Sequence, residues 1–120
     1  MSETIRPDIS LYQQTILVAK EVYELTCKLP IQQQFVLTSQ LRRSIINVCN
    51  RLSAFTDCNS KSTLKRNSEF FIKVYAEIKT QMKISITLGH FTSADLMTLE
   101  NSLDQILIFC ESNIQSSYRN

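Results

Sequence analysis

The sequence predicts an all-α protein, an antiparallel up-down-up-down bundle of four helices. Three observations carry that expectation. One glycine and two prolines in 120 residues leave almost no tight hairpin turns, so a few loops join long elements. Apolar residues recur at steps of three and four along most of the chain, the period of one helix face. Four helices of roughly 18 to 26 residues with short connections must alternate in direction. Length points to one domain spanning residues 1–120, large enough to bury a core without metals or disulfides.

The first helix is expected over about Asp8 to Lys28. Leu11, Val18, Val22, Leu25 and Leu29 make one stripe, and Tyr12, Ile16, Ala19 and Tyr23 a second beside it. A face that wide serves two neighbours rather than one. Leu29-Pro30 ends it, because proline pushes the preceding residue out of the α region.

A connection with three consecutive glutamines leads to the second helix, about Thr38 to Phe55. Thr38 is placed to cap it through its hydroxyl. Leu41, Ile45, Val48, Leu52 and Phe55 follow at steps of four, three, four and three, which turns them to one side. Thr56 to Ser62 reads as a loop, since its residues bond their own backbone in competition with helix.

The third helix is expected over about Thr63 to Leu88, with Phe71, Tyr75, Ile78 and Met82 as its central stripe. It closes at Gly89, the only glycine, in the role of a left-handed cap. The fourth runs from about residue 93 to 114. Thr92 and Asp95 form a capping-box variant, with Phe91 and Leu96 placed as a hydrophobic staple. Leu99, Leu103, Ile106 and Cys110 carry its stripe onward.

Charge is segregated along this plan. The net +2 divides into −1 over residues 1–37, +6 over 38–89 and −3 over 90–120. The second and third helices are therefore basic and the fourth acidic. One reading is complementary packing of the acidic helix against basic ones, in the same subunit or another. The other is a phosphate-binding surface built from Arg42, Arg43, Arg51, Lys61, Lys65 and Arg66, whose grip would weaken steeply with salt. Glu69 and Glu77 dilute that patch, and no aromatic motif for stacking bases accompanies it.

Chemistry of other kinds finds little support. The lone histidine, His90, follows the Gly89 cap and has no convergent partner. No Glu-x-x-His pair of the di-iron type occurs, so no metal and no cofactor is expected. A single glycine excludes a Gly-rich phosphate loop. Glu21 with Glu24 and Glu100 with Asp104 read as solvated pairs, and no catalytic residue is expected. Cys27, Cys49 and Cys110 fall at apolar helical positions and should act as small hydrophobes, whereas Cys58 lies in the polar loop and is the reactive candidate. The N-terminus has no apolar signal region, and no stretch is long and apolar enough to cross a membrane. A cytoplasmic protein with reduced thiols is the expectation.

Leu29-Pro30 and Leu37-Thr38-x-Gln40-Leu41-Arg42-Arg43 together resemble the four-helix-bundle family encoded in intervening sequences of bacterial 23S rRNA genes. The similarity continues through Glu77-Ile78, Met82 and Leu88-Gly89, and covers about residues 8–115. The chain departs from that family where Arg51-Leu52-Ser53-Ala54-Phe55 replaces Asn-Ile-Ala-Glu-Gly, and where Lys73-Val74 replaces Gly-Ser. The resemblance implies small bundles assembled as ring-shaped homopentamers with a role in RNA binding. A related branch serves diversity-generating retroelements as an accessory protein beside reverse transcriptase and nucleic acid. Gln40, Arg42 and Arg43 carry over as candidate interface or nucleic-acid contacts.

The resulting expectation is a non-enzymatic, self-assembling bundle that holds RNA, DNA or a nucleoprotein partner on its second and third helices. The alternative is a protein–protein scaffold whose basic patch pairs only with acidic helices. Surplus apolar positions (Phe70, Ile72, Ile84, Ile86, Leu107 and Phe109) add to the case for an oligomer.

Overall fold

A computed structural model describes residues 7–29, 37–52 and 61–118, with side chains over 12–29, 37–51 and 62–115. Among these residues it contains four helices: α1 (Pro7–Thr26), α2 (Ser39–Leu52), α3 (Lys61–Thr87) and α4 (Met97–Tyr118). Among the described residues there is no strand. Each helix packs on the next in sequence and α4 returns to α1, which closes the four around one core.

Local chemistry places the helix ends. Pro7 opens α1 at the one turn where a missing N–H costs nothing. At the other end the bonding tightens, with Lys28 N donating to Leu25 O and Leu29 N to Thr26 O. Gly89 adopts a φ of +81°, and around it His90 N donates to Ser85 O at 2.9 Å and Gly89 N to Ile86 O at 3.0 Å. Those two bonds are the six-to-one and five-to-two pair of a Schellman end, so the lone glycine stands where left-handed backbone is required.

Several expected boundaries shift: α1 ends at Thr26 rather than Lys28, α4 runs on to Tyr118 rather than 114, and the starts of α3 and α4 move. The Thr92–Asp95 box does form: Thr92 N donates to Asp95 Oδ2 at 2.9 Å and Asp95 N to Thr92 Oγ1 at 3.1 Å. It closes a separate turn, however, in which Leu96 N and Met97 N donate three residues back, and α4 proper begins at Met97. α3 starts at Lys61, so Lys61 and Ser62 belong to its first turn rather than to the loop. The remainder of the expected loop, residues 56–60 with Cys58, and the expected end of the second helix lie outside the described residues. Thr38 precedes α2 but does not cap it. Its hydroxyl oxygen is buried and finds no partner among the described residues, because packing has drawn the side chain inward.

The core runs the length of the four helices. Val18 and Val22 from α1, Ile45 and Val48 from α2, Phe71 and Ile78 from α3, and Leu103 and Ile106 from α4 are at most 1% exposed. The doubled stripe of α1 is resolved unequally. Val18, Val22 and Leu29 are buried, while Ile16 and Tyr23 stand 43% and 40% exposed. Of the surplus apolar positions, Phe70, Ile72, Leu107 and Phe109 pack against the core, whereas Ile84 and Ile86 are exposed. Cys49 and Cys110 are buried as expected of small hydrophobes. Burial raises both thiol pKa values, that of Cys110 to about 12. Cys27 is exposed instead.

Candidate nucleic-acid interface

The basic residues of α2 divide by helix face. Leu41, Ser44, Ile45, Val48 and Cys49 are buried, which leaves Ser39, Gln40, Arg43, Ile46, Asn47, Asn50 and Arg51 on the outer side. Arg42 sits between the two and turns toward α1. Its Nε donates to Thr26 Oγ1 at 2.9 Å and its Nη2 lies 3.5 Å from Cys27 Sγ. The guanidinium also stacks 4.6 Å from the centre of the Tyr23 ring. Thr26 can accept because its own proton is directed to Val22 O at 2.8 Å. Arg42 is thus a tie between helices, with the exposed Cys27 at its edge.

Arg51 makes the matching tie on the other side. Its Nη1 donates to Asn67 Oδ1 at 3.4 Å, and its guanidinium lies 4.3 Å from the Phe70 ring centre. Both partners belong to α3. Stacking on a ring holds an arginine without neutralising it, and the site keeps its positive charge. Asn67 is 4% exposed, so the bond also satisfies one end of a buried amide.

On α3, Lys65 approaches Glu69 at 3.8 Å within the helix. Arg66 is exposed. The side chain of Lys61 lies outside the described set. Gln40 and Arg43 are exposed on α2. The six expected cations therefore do not form one equivalent cluster. Arg43 and Arg66 project from the surface, Arg42 and Arg51 are anchored by rings, and Lys65 is paired along its own helix.

Two further lysines, Lys73 and Lys83, are exposed on α3 and were missed by reasoning from runs of charge. The signal for Lys73 was present as spacing, since it stands seven residues from Arg66 on the same helix line, whereas Lys83 lies off that line and borders Lys79 and Glu100.

The α3–α4 seam handles charge differently. Lys79 pairs with Glu100 across the helices, and Lys79 also lies 5.7 Å from the centre of the Tyr75 ring. Tyr75 OH donates to Asp104 Oδ1 at 2.6 Å. Burial and the hydrogen-bonded Asp104 carboxylate push the Tyr75 pKa up to about 12, with Glu100 and Glu111 adding to the effect. Asp95 is occupied by the Thr92 turn. The acids of the C-terminal region are in large part spoken for by α3 and by a cap.

A cleft of about 240 Å³ opens between α1 and α4, lined by Glu21, Glu24, Lys28, Asp95 and Thr98 over Leu25 and Leu99. Among the described residues no set of three or more His, Cys, Asp or Glu could hold a metal ion. His90 is half-buried beside the Gly89 cap. No described helix is long and apolar enough to cross a membrane.

Comparison with protein families gives a match to the family described as 23S rRNA-intervening sequence protein, over residues 7–110. That span takes in all of α1, α2 and α3 and most of α4. A comparison with curated proteins finds no match.

Proposed function

The chain belongs to the 23S rRNA-intervening sequence protein family, and from that premise we propose that it is a non-enzymatic, self-assembling cytoplasmic bundle that binds RNA through α2 and α3. The supporting observation is how the charge is disposed. Arg43 and, on the α2 side of α3, Arg66 and Lys73 are exposed, while Arg51 keeps its charge on a ring face. Such a surface favours phosphates and carries a strong salt dependence.

The helices alternate in direction in this reading. Arg42 and Cys49 of α2 meet Thr26 and Thr15 of α1, and Tyr75 and Ser68 of α3 meet Asp104 and Asn113 of α4. In both pairs the partners run in opposite order. Self-assembly, as a ring-shaped homo-oligomer of the kind the family resemblance implies, would cover the exposed Ile16 and Tyr23 of α1 and Ile46 of α2. Burying side chains of that size contributes roughly 1.5–3 kcal/mol each when complete.

Light scattering with and without RNA at two salt concentrations reads assembly and binding together. We expect an oligomer at both, RNA retained at low salt, and retention lost steeply as salt rises. Reversing Arg43 and Arg66 together to glutamate should weaken binding by about tenfold or more at moderate salt without changing the oligomer. A salt slope near zero would remove the nucleic-acid reading. It would favour a scaffold whose basic residues serve carboxylates of a neighbour, in the way Lys79 serves Glu100.

A further inference from the structure

We propose that the α2–α3 face grips the sugar-phosphate backbone of double-helical RNA rather than the bases of a single strand, with Lys73 and Asn47 among its contacts. The inference rests on the nucleic-acid reading above and specifies what that surface takes.

The first argument is the fate of the aromatic rings. Proteins that hold single strands without reading sequence lay successive bases on exposed aromatic faces. α2 contains no aromatic residue. α3 contains Phe70, Phe71 and Tyr75. Phe70 is covered by the Arg51 guanidinium, Tyr75 has the Lys79 ammonium above it, and Phe71 is fully buried. Even the exposed Tyr23 of neighbouring α1 is capped by Arg42. Among the described residues the face offers charge and hydrogen bonds with no open platform for a base.

The second argument is how the remaining groups are set out. Phe70 meets Arg51 of α2, so Arg66 and Lys73, one turn to either side of Phe70, flank the same seam. They are about 10.5 Å apart along a rigid helix at 1.5 Å per residue. Arg43, Asn47 and Arg51 make a parallel row on α2, spanning about 12 Å by the same rise. Among the cations stand the exposed amides of Gln40 and Asn47 and the hydroxyl of Thr80. A-form duplexes are recognised largely by shape, through phosphates and 2′-hydroxyls displayed across the wide minor groove. Two rows of cations interleaved with neutral donors and acceptors suit that surface. Glu69 and Glu77, also exposed on this side, are the groups that oppose it.

The test uses the full chain and three probes of one sequence about 16 base pairs long, the span a double-stranded-RNA module covers: an RNA duplex, one of its single strands, and a DNA duplex. Fluorescence anisotropy should show the RNA duplex bound about tenfold more tightly than the single strand, the margin expected when no stacked base assists the strand, and more tightly than the DNA duplex. Replacing Arg66→Gln and Lys73→Gln together should lower the log–log salt slope for the duplex by about two, and Glu77→Gln should tighten binding. A single strand bound as well as the duplex, in a chain that does retain RNA, overturns this inference and leaves the parent reading standing. DNA bound as well as RNA overturns the assignment to RNA. No binding of any probe removes both. Should the double variant prove unfolded by its melting curve, the three-probe comparison on the unaltered chain decides alone.

Discussion

The two seams of α3 treat cations in opposite ways. Toward α2, Arg51 is held by a ring and a neutral amide. Toward α4, Lys79 is held by the Glu100 carboxylate, and the adjoining Tyr75 hydroxyl by Asp104. Both arrangements join helices. Only the first leaves the positive charge uncancelled, because an aromatic quadrupole attracts a cation without neutralising it. The seam toward α4 is locked at the cost of its field, whereas the seam toward α2 is locked and remains electropositive.

Removing the ring-held arginine tests the comparison with the largest effect. Arg51→Met keeps an apolar stem over Phe70 but deprives buried Asn67 of its donor. A buried acceptor left unmade costs about 1–3 kcal/mol, so chemical denaturation should show a loss in that range. On the proposed nucleic-acid role, the same variant should also weaken RNA binding. If stability falls and binding does not, the guanidinium serves cohesion only, and the contrast between the seams loses its functional meaning.

Tyr75→Phe sharpens the contrast through pH. The Tyr75 pKa is raised from 10.0 to about 12, so the folded chain holds that proton more firmly than the unfolded one. The stability it supplies is complete below about pH 10 and is lost as pH rises toward 12. Cys110, raised from 9.0 to about 12, adds a loss that begins near pH 9. Arginine stays charged throughout this window, so the seam toward α2 contributes no such slope. Unfolding midpoints measured from pH 8 to 11 should therefore fall, and Tyr75→Phe should flatten the part above pH 10. At neutral pH the variant should lose about 1 kcal/mol, one hydrogen bond's net value.

How much of this the sequence disclosed follows from the range over which each feature is decided. The Gly89 end and the Thr92–Asp95 box are settled within six residues, and both were legible. The α1 stripes were legible as apolar but not as to which one faces inward, because the four-helix geometry that buries Val22 and exposes Tyr23 lies outside the helix itself. Thr38 misled for a related reason, since tertiary packing took a good capping side chain into the interior. Within the basic face the cations could be read but their partners could not. Arg42 and Thr26, and Arg51 and Asn67, are each 16 residues apart, and Lys79 and Glu100 are 21 apart. No local pattern encodes pairings of that separation. Lys73 was passed over because it stands alone in sequence and joins Arg66 only on the folded helix line.

The smallest expected effect belongs to the Lys79–Glu100 pair, and it bears most directly on the difference between the seams. Their side chains are 33% and 43% exposed, so solvent screens the attraction and the ordering of two long chains offsets part of it. A double-mutant cycle with Lys79→Met and Glu100→Gln should return a coupling of about 0.2–1 kcal/mol at low salt. That coupling should shrink as salt rises, since exposed charges are screened within a Debye length of about 10 Å at 0.1 M. A parallel cycle with Arg42→Met and Tyr23→Leu should change less with salt, because a ring bears no net charge for the ions to screen. Equal salt dependence in the two cycles would mean that the arginine ties are ordinary electrostatic contacts. The uncancelled charge on α2 would then follow from a scarcity of nearby acids rather than from the way its cations are held.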